Sequence, residues 1–60
     1  MNENQKRLYN EAYQYTIDRG GPSQAYTYLS RAVLSGRHAA PALQAIANGL
    51  EAALKEKGYI

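Results

Sequence analysis

The chain has 60 residues, with 7 Lys plus Arg against 5 Asp plus Glu, a single His and no Cys. That length allows one domain near the lower limit for independent folding, and the absence of cysteine removes disulfides, thiolate zinc sites and cysteine nucleophiles together. A net charge of +2 permits contact with an acidic protein surface or with nucleic acid without demanding either.

The first predicted helix covers about residues 4–19. At about 100° per residue, Leu8, Tyr9, Ala12, Tyr13, Tyr15 and Thr16 share one broad side, and Arg7, Glu11, Gln14 and Asp18 lie opposite. Gly20 and Gly21 are expected to stop it, because glycine accepts the left-handed conformation that ends many helices. Pro22 and Ser23 then supply a start signal, proline for the first turn and serine as a cap.

A second helix is predicted over about 22–35. Its core stripe is Ala25, Tyr26, Leu29, Ala32 and Val33, while Thr27, Ser30 and Arg31 face away. Leu34 falls on the polar side, as an exposed apolar residue or part of a second interface. Gly36 is the expected stop, and Pro41 biases Ala40 away from helical angles. The third helix covers about 41–57, with Leu43, Ile46, Ala47, Leu50 and Leu54 inward and Gln44, Asn48, Glu51 and Lys55 wet. Glu51 and Lys55 are correctly ordered for a weak surface pair. Lys55, Lys57 and Gly58 suit a helix carboxyl end. No segment alternates with period two, so the expected fold is all-α: a small three-helix bundle, one domain over residues 1–60.

Large aliphatic residues are scarce, at six Leu, three Ile and one Val. Chains this short usually add disulfides, a metal or a partner. Disulfides are impossible here, and one His with dispersed acids makes a poor metal cage. The bundle is therefore expected to be completed by a partner, either a second copy in a homodimer or another protein. The polar start "MNENQKRLYNEAYQY" lacks a signal-peptide core, and no apolar run approaches the roughly 20 residues of a membrane span. A soluble, cytoplasmic chain is expected. Polar faces that mix acids with bases argue against docking on a membrane surface.

Tyrosine is the compositional oddity: six Tyr, no Phe and no Trp. Tyrosine buries an aromatic body and keeps a polar tip in water. The rings either cap a core built from little else or, with Tyr9, Tyr13, Tyr28 and outward Leu34, form a protein interface, where tyrosine is enriched. Among basic residues, Arg31, Arg37 and His38 are placed to converge at the end of the second helix, where they either solvate a turn or meet phosphates.

Enzyme signatures are missing. "RGGPS" is too short for a phosphate loop and lacks its lysine. Ser23, Ser30 and Ser35 have only His38 as a base, with no Asp nearby to orient it. Glu51 and Glu56 are spaced so that they do not stack on one helix face. No catalytic residue, cofactor, metal or small-molecule substrate is expected.

Residues 21–50, "GPSQAYTYLSRAVLSGRHAAPALQAIANGL", resemble the second half of phage-repressor-type helix-turn-helix domains. In that family "GPSQAY" corresponds to the opening of the recognition helix, "YLSRAVLSG" to its continuation and "RHAAPALQAIANGL" to the entry into the next helix. The resemblance implies a DNA-binding regulator in which Gln24, Thr27, Ser30 and Arg31 face the major groove and Arg37, with His38 beside it, meets a phosphate. The family places two helices before the recognition helix, whereas this chain has room for one. The residues themselves favour a non-enzymatic protein-binding module of regulator, adaptor or inhibitor type. A small DNA-binding regulator is the alternative.

Overall fold

The computed structural model describes residues 1–60 and contains three α-helices and no strand: α1 (Glu3–Arg19), α2 (Pro22–Leu34) and α3 (Ala40–Glu56). Every boundary lies within one residue of the sequence expectation. α1 begins with a reciprocal cap. Asn2 Oδ1 accepts from the Gln5 amide at 2.8 Å, and Gln5 Oε1 accepts from the Asn2 amide at 3.3 Å, satisfying two of the amides that a helix start leaves without partners.

Three local expectations need correction. Gly20 and Gly21 are extended, at φ −107° and −120°, not left-handed; α1 ends because Gly20 swings out of the helix. A Cβ on Gly20 would stand 3.2 Å from Thr16 Cα, so space explains this glycine better than φ does. Ser23 is not the cap of α2. Gly21 holds that position, and its amide donates to Gln24 Oε1 at 2.9 Å. Ala40 is helical, with Ala39 as the cap and Pro41 in the first turn. Amides there have no intrahelical acceptor, so proline costs no hydrogen bond. Gly36 and Gly58, at φ 69° and 88°, are the true left-handed stops.

α1 and α3 form the tight pair, and α2 leans across them. The α1 face expected from periodicity is the one observed: Leu8, Ala12 and Thr16 are buried, with Tyr9, Tyr13 and Tyr15 half-buried beside them. On α3 the large residues tell only part of the story. Ala42, Ala45, Gly49 and Ala53 are buried as well, at three- and four-residue spacing that makes one smooth face. This face lets the backbones approach. A Cβ built on Gly49 would overlap the Tyr9 carbonyl oxygen and lie 3.3 Å from the Tyr13 nitrogen.

The core cluster is Leu8, Ala12, Ala25, Ala42, Ile46 and Leu50, with Tyr28, Leu29, Ala32, Leu43 and Leu54 packed against it. α2 contributes only Ala25 as a fully buried residue. Lys57, just beyond α3, ties the ends together: its Nζ donates to the Thr16 carbonyl at 3.0 Å and also to the Gly20 carbonyl. A cation here satisfies the orphan carbonyls of α1 and complements its dipole. The Glu51–Lys55 pair does not form; the one ion pair is Arg7–Glu11 at 3.2 Å. No helix is long and apolar enough to cross a membrane.

Candidate binding surfaces around the second helix

α2 separates two grooves and presents an outer face to solvent. Ala25, Leu29 and Ala32 point inward at near-helical spacing, while Leu34 lies diametrically outward and is 84% exposed. Tyr26 and Val33, expected in the core stripe, are 74% and 53% exposed. They sit about 80–100° round the helix from Ala25, on the shoulder toward α3. Tyr26 lines the open groove between α2 and α3 and is not covered by it.

Between α2 and α3 runs an apolar groove of about 250 Å³. Pro22, Tyr26 and Leu29 form one wall, Ala47, Leu50 and Leu54 the other, and Ile60 closes an end. Glu51 is its only charged residue.

The groove on the other side, between α1 and α2, holds about 540 Å³ and differs in character. Arg7, Arg31, Arg37 and His38 line it, over a floor of Leu8, Ala32 and Ile46. The chain corner brings Arg37 and His38 in. Gly36 turns the backbone at φ 69°, the Ser35 hydroxyl donates to the Ala32 carbonyl at 2.8 Å, and the Arg37 amide donates to that hydroxyl at 3.3 Å. Tyr15 and Tyr28 form the wall, ring centroids 4.8 Å apart and planes tilted by 45°. The Arg19 guanidinium sits 5.8 Å from the Tyr15 centroid, within cation–π range. Burial pushes the Tyr28 hydroxyl pKa above its ordinary value, with the Glu11 carboxylate and Tyr15 adding to the shift.

Tyr9 and Tyr13 lie on the opposite side of α1, about 100–140° round from Leu8. The Tyr13 hydroxyl donates to Glu56 Oε2 on α3. That hydrogen bond raises the Tyr13 pKa, followed by desolvation and the negative charge of Glu56.

The predicted interface residues therefore occupy three places. Tyr9 and Tyr13 seal the α1–α3 seam, Tyr28 walls the basic groove, and Leu34 projects from the outer face. Of the residues expected to meet nucleic acid or another anion, Thr27, Arg31, Arg37 and His38 share the basic groove. Gln24 is engaged in capping α2, and half-buried Ser30 lies outside the groove. Sequence reading missed Arg7 and Tyr15 as members of this groove and Tyr26 and Val33 as exposed. Arg7 was legible only as a wet residue of α1, because its approach to α2 is tertiary. No three His, Asp or Glu side chains stand close enough together to hold a metal ion. No family model matches the chain, and neither the curated proteins nor the solved structures include a detectable match.

Proposed function

We propose that this chain is a non-enzymatic protein-binding module that acts through the exposed face of α2, pairing with a second copy or with another protein as a regulator, adaptor or inhibitor. The observation that carries this reading is the exposure of Tyr26, Val33 and Leu34 at 74%, 53% and 84% along one short helix. Large apolar side chains scattered singly are ordinary on a surface. Three on a 13-residue helix, Tyr26 and Val33 on the shoulder toward α3 and Leu34 on the outer side, exceed that single scatter and support an interaction face. Affinity would come from these few anchors, with arginines setting orientation.

The duplex-binding reading draws less support from the same helix. A recognition helix offers polar and cationic side chains outward, whereas α2 carries Arg31 as its only charged residue and Leu34 at the centre of its outer side.

Two measurements test the proposal. In affinity capture from the native host with nuclease treatment, the wild type is expected to retain a protein partner and Leu34→Glu to lose it while keeping its helical circular dichroism. Recovery of nucleic acid alone, or equal recovery by both chains, would contradict it. For the homodimer, a sedimentation dilution series is expected to show association; a folded monomer at micromolar concentration removes self-pairing and leaves only the heterologous partner.

A further inference from the structure

The net positive charge of the molecule coincides with one groove. In the α1–α2 groove, Arg7, Arg31 and Arg37 face a single acid, Glu11, an excess of two positive charges. The whole chain carries the same excess, +2. The remaining four cations, Lys6, Arg19, Lys55 and Lys57, are matched in number by the remaining four acids, Glu3, Asp18, Glu51 and Glu56. Within the groove Glu11 is already held by Arg7 at 3.2 Å, and no acid pairs with Arg31 or Arg37. Two guanidinium groups thus stand free beside an apolar floor, and a cleft with an excess of one sign of charge attracts the opposite sign.

We propose that this groove receives an acidic, amphipathic segment of the protein partner, whose carboxylates meet Arg31 and Arg37 and whose apolar side chains lie over Leu8, Ala32 and Ile46. The inference rests on the protein-binding reading above and adds the chemistry of the partner. Three features favour a polypeptide over a nucleic acid strand. The floor is aliphatic, with Leu8 and Ile46 nearly closed at 6% and 2% exposed and Ala32 more open, so it offers small apolar side chains a base and no polar group to pair with a nucleobase. Tyr15 is engaged by the ring of Tyr28 and by the guanidinium of Arg19, so it serves as a wall and not as an open platform for a stacked base. Leu34 also follows Arg31 by three residues on α2 and precedes Arg37 across the Gly36 turn, so an exposed apolar side chain stands one helical turn from a free cation, outside the groove itself. Arginine forks recognise carboxylates in bidentate fashion, so the pair supplies register as well as attraction.

The test is a titration of ¹⁵N-labelled protein with an amphipathic helical peptide carrying Leu at i and i+4 and Glu on its flanks. Its Lys-for-Glu counterpart, a 12-nucleotide single strand and a 12-base-pair duplex are titrated in parallel. The Glu peptide is expected to shift amides around Glu11, Tyr28, Arg31 and Arg37. The Arg31→Glu/Arg37→Glu double variant is expected to bind it at least about tenfold more weakly and to gain affinity for the Lys peptide, with an unchanged thermal melt. Three results would each overturn the proposal: no shift at these amides, equal binding by the double variant, or tighter binding of either nucleic acid at the same amides. Shifts at the same amides that grow with protein concentration alone would assign the groove to a second copy and equally refute it. If the groove fails while Leu34→Glu still loses its captured partner, only the acidic-segment inference falls.

Discussion

Replacing Gly49 by Ala sets two effects against each other with opposite signs. In an isolated helix the change is favourable by about 0.8–1 kcal/mol, because Gly carries the larger backbone entropy cost. Here the new methyl would overlap the Tyr9 carbonyl oxygen, a backbone atom that cannot rotate aside. Relief requires α1 and α3 to separate at the level of Ala12 and Ala53, both of which are 0% exposed. Overpacking of this kind costs about 1–3 kcal/mol; with a rigid opponent the upper part of that range applies, leaving a net loss of about 1–2 kcal/mol. For a domain of this size each kcal/mol corresponds to roughly 4–8 °C in melting temperature. Thermal melts of Gly49→Ala should therefore fall by roughly 5–15 °C at fixed protein concentration. Asn48→Ala, exposed on the same turn, should change by a few tenths of a kcal/mol at most. A neutral or stabilised Gly49→Ala would refute the close approach of α1 and α3.

Thr16 is fully buried and its Oγ1 has no hydrogen-bond partner; Thr16→Val, which keeps the shape and removes the desolvated hydroxyl, should stabilise by about 1 kcal/mol in urea denaturation. Lys57→Met should cost about 1 kcal/mol by leaving the Thr16 and Gly20 carbonyls without their cation, and hydrogen exchange should quicken in the last turn of α1 before it does elsewhere. The Tyr28 pKa is raised in the folded state above its ordinary 10.0, so folding favours the neutral phenol. The resulting stability is present below that pH and is lost as pH rises through the folded-state value. Alkaline melts should fall more steeply for the wild type than for Tyr28→Phe, and identical slopes would count against burial as the cause. Leu34→Ser should leave the melting temperature within about 2–4 °C of wild type, because the side chain is 84% exposed.

Much of this fold was legible from punctuation and period. Gly20, Gly36, Gly58 and the two prolines divide the chain where the helices end, and the wet faces of α1 and α3 emerged as expected. What escaped was determined by pairing between helices. The Leu43–Ile46–Leu50–Leu54 stripe drew attention to one side of α3, while Ala42, Ala45, Gly49 and Ala53 on the adjoining side carry the closest packing. Small residues give a weak hydrophobicity signal, yet they decide how near two backbones come. The repeated three- and four-residue spacing of Ala and Gly was the available clue. Period alone places Tyr26 and Val33 inward, because it locates a stripe but not how much of it a neighbouring helix covers. The basic groove was half legible: Arg31, Arg37 and His38 are near in sequence, but Arg7, Tyr15 and Tyr28 join them only when α1 and α2 come together.

Site-specific photo-crosslinking in the native host tests the exposed face of α2 most directly. Benzoylphenylalanine placed at Tyr26 or Leu34 is expected to yield protein adducts, to a second copy or to another chain, whereas the same group at exposed Gln14 or Asn48 on the wet faces of α1 and α3 is not. Adducts to nucleic acid alone, adducts from all four positions alike, or none from Tyr26 and Leu34 would contradict a protein-binding role for α2.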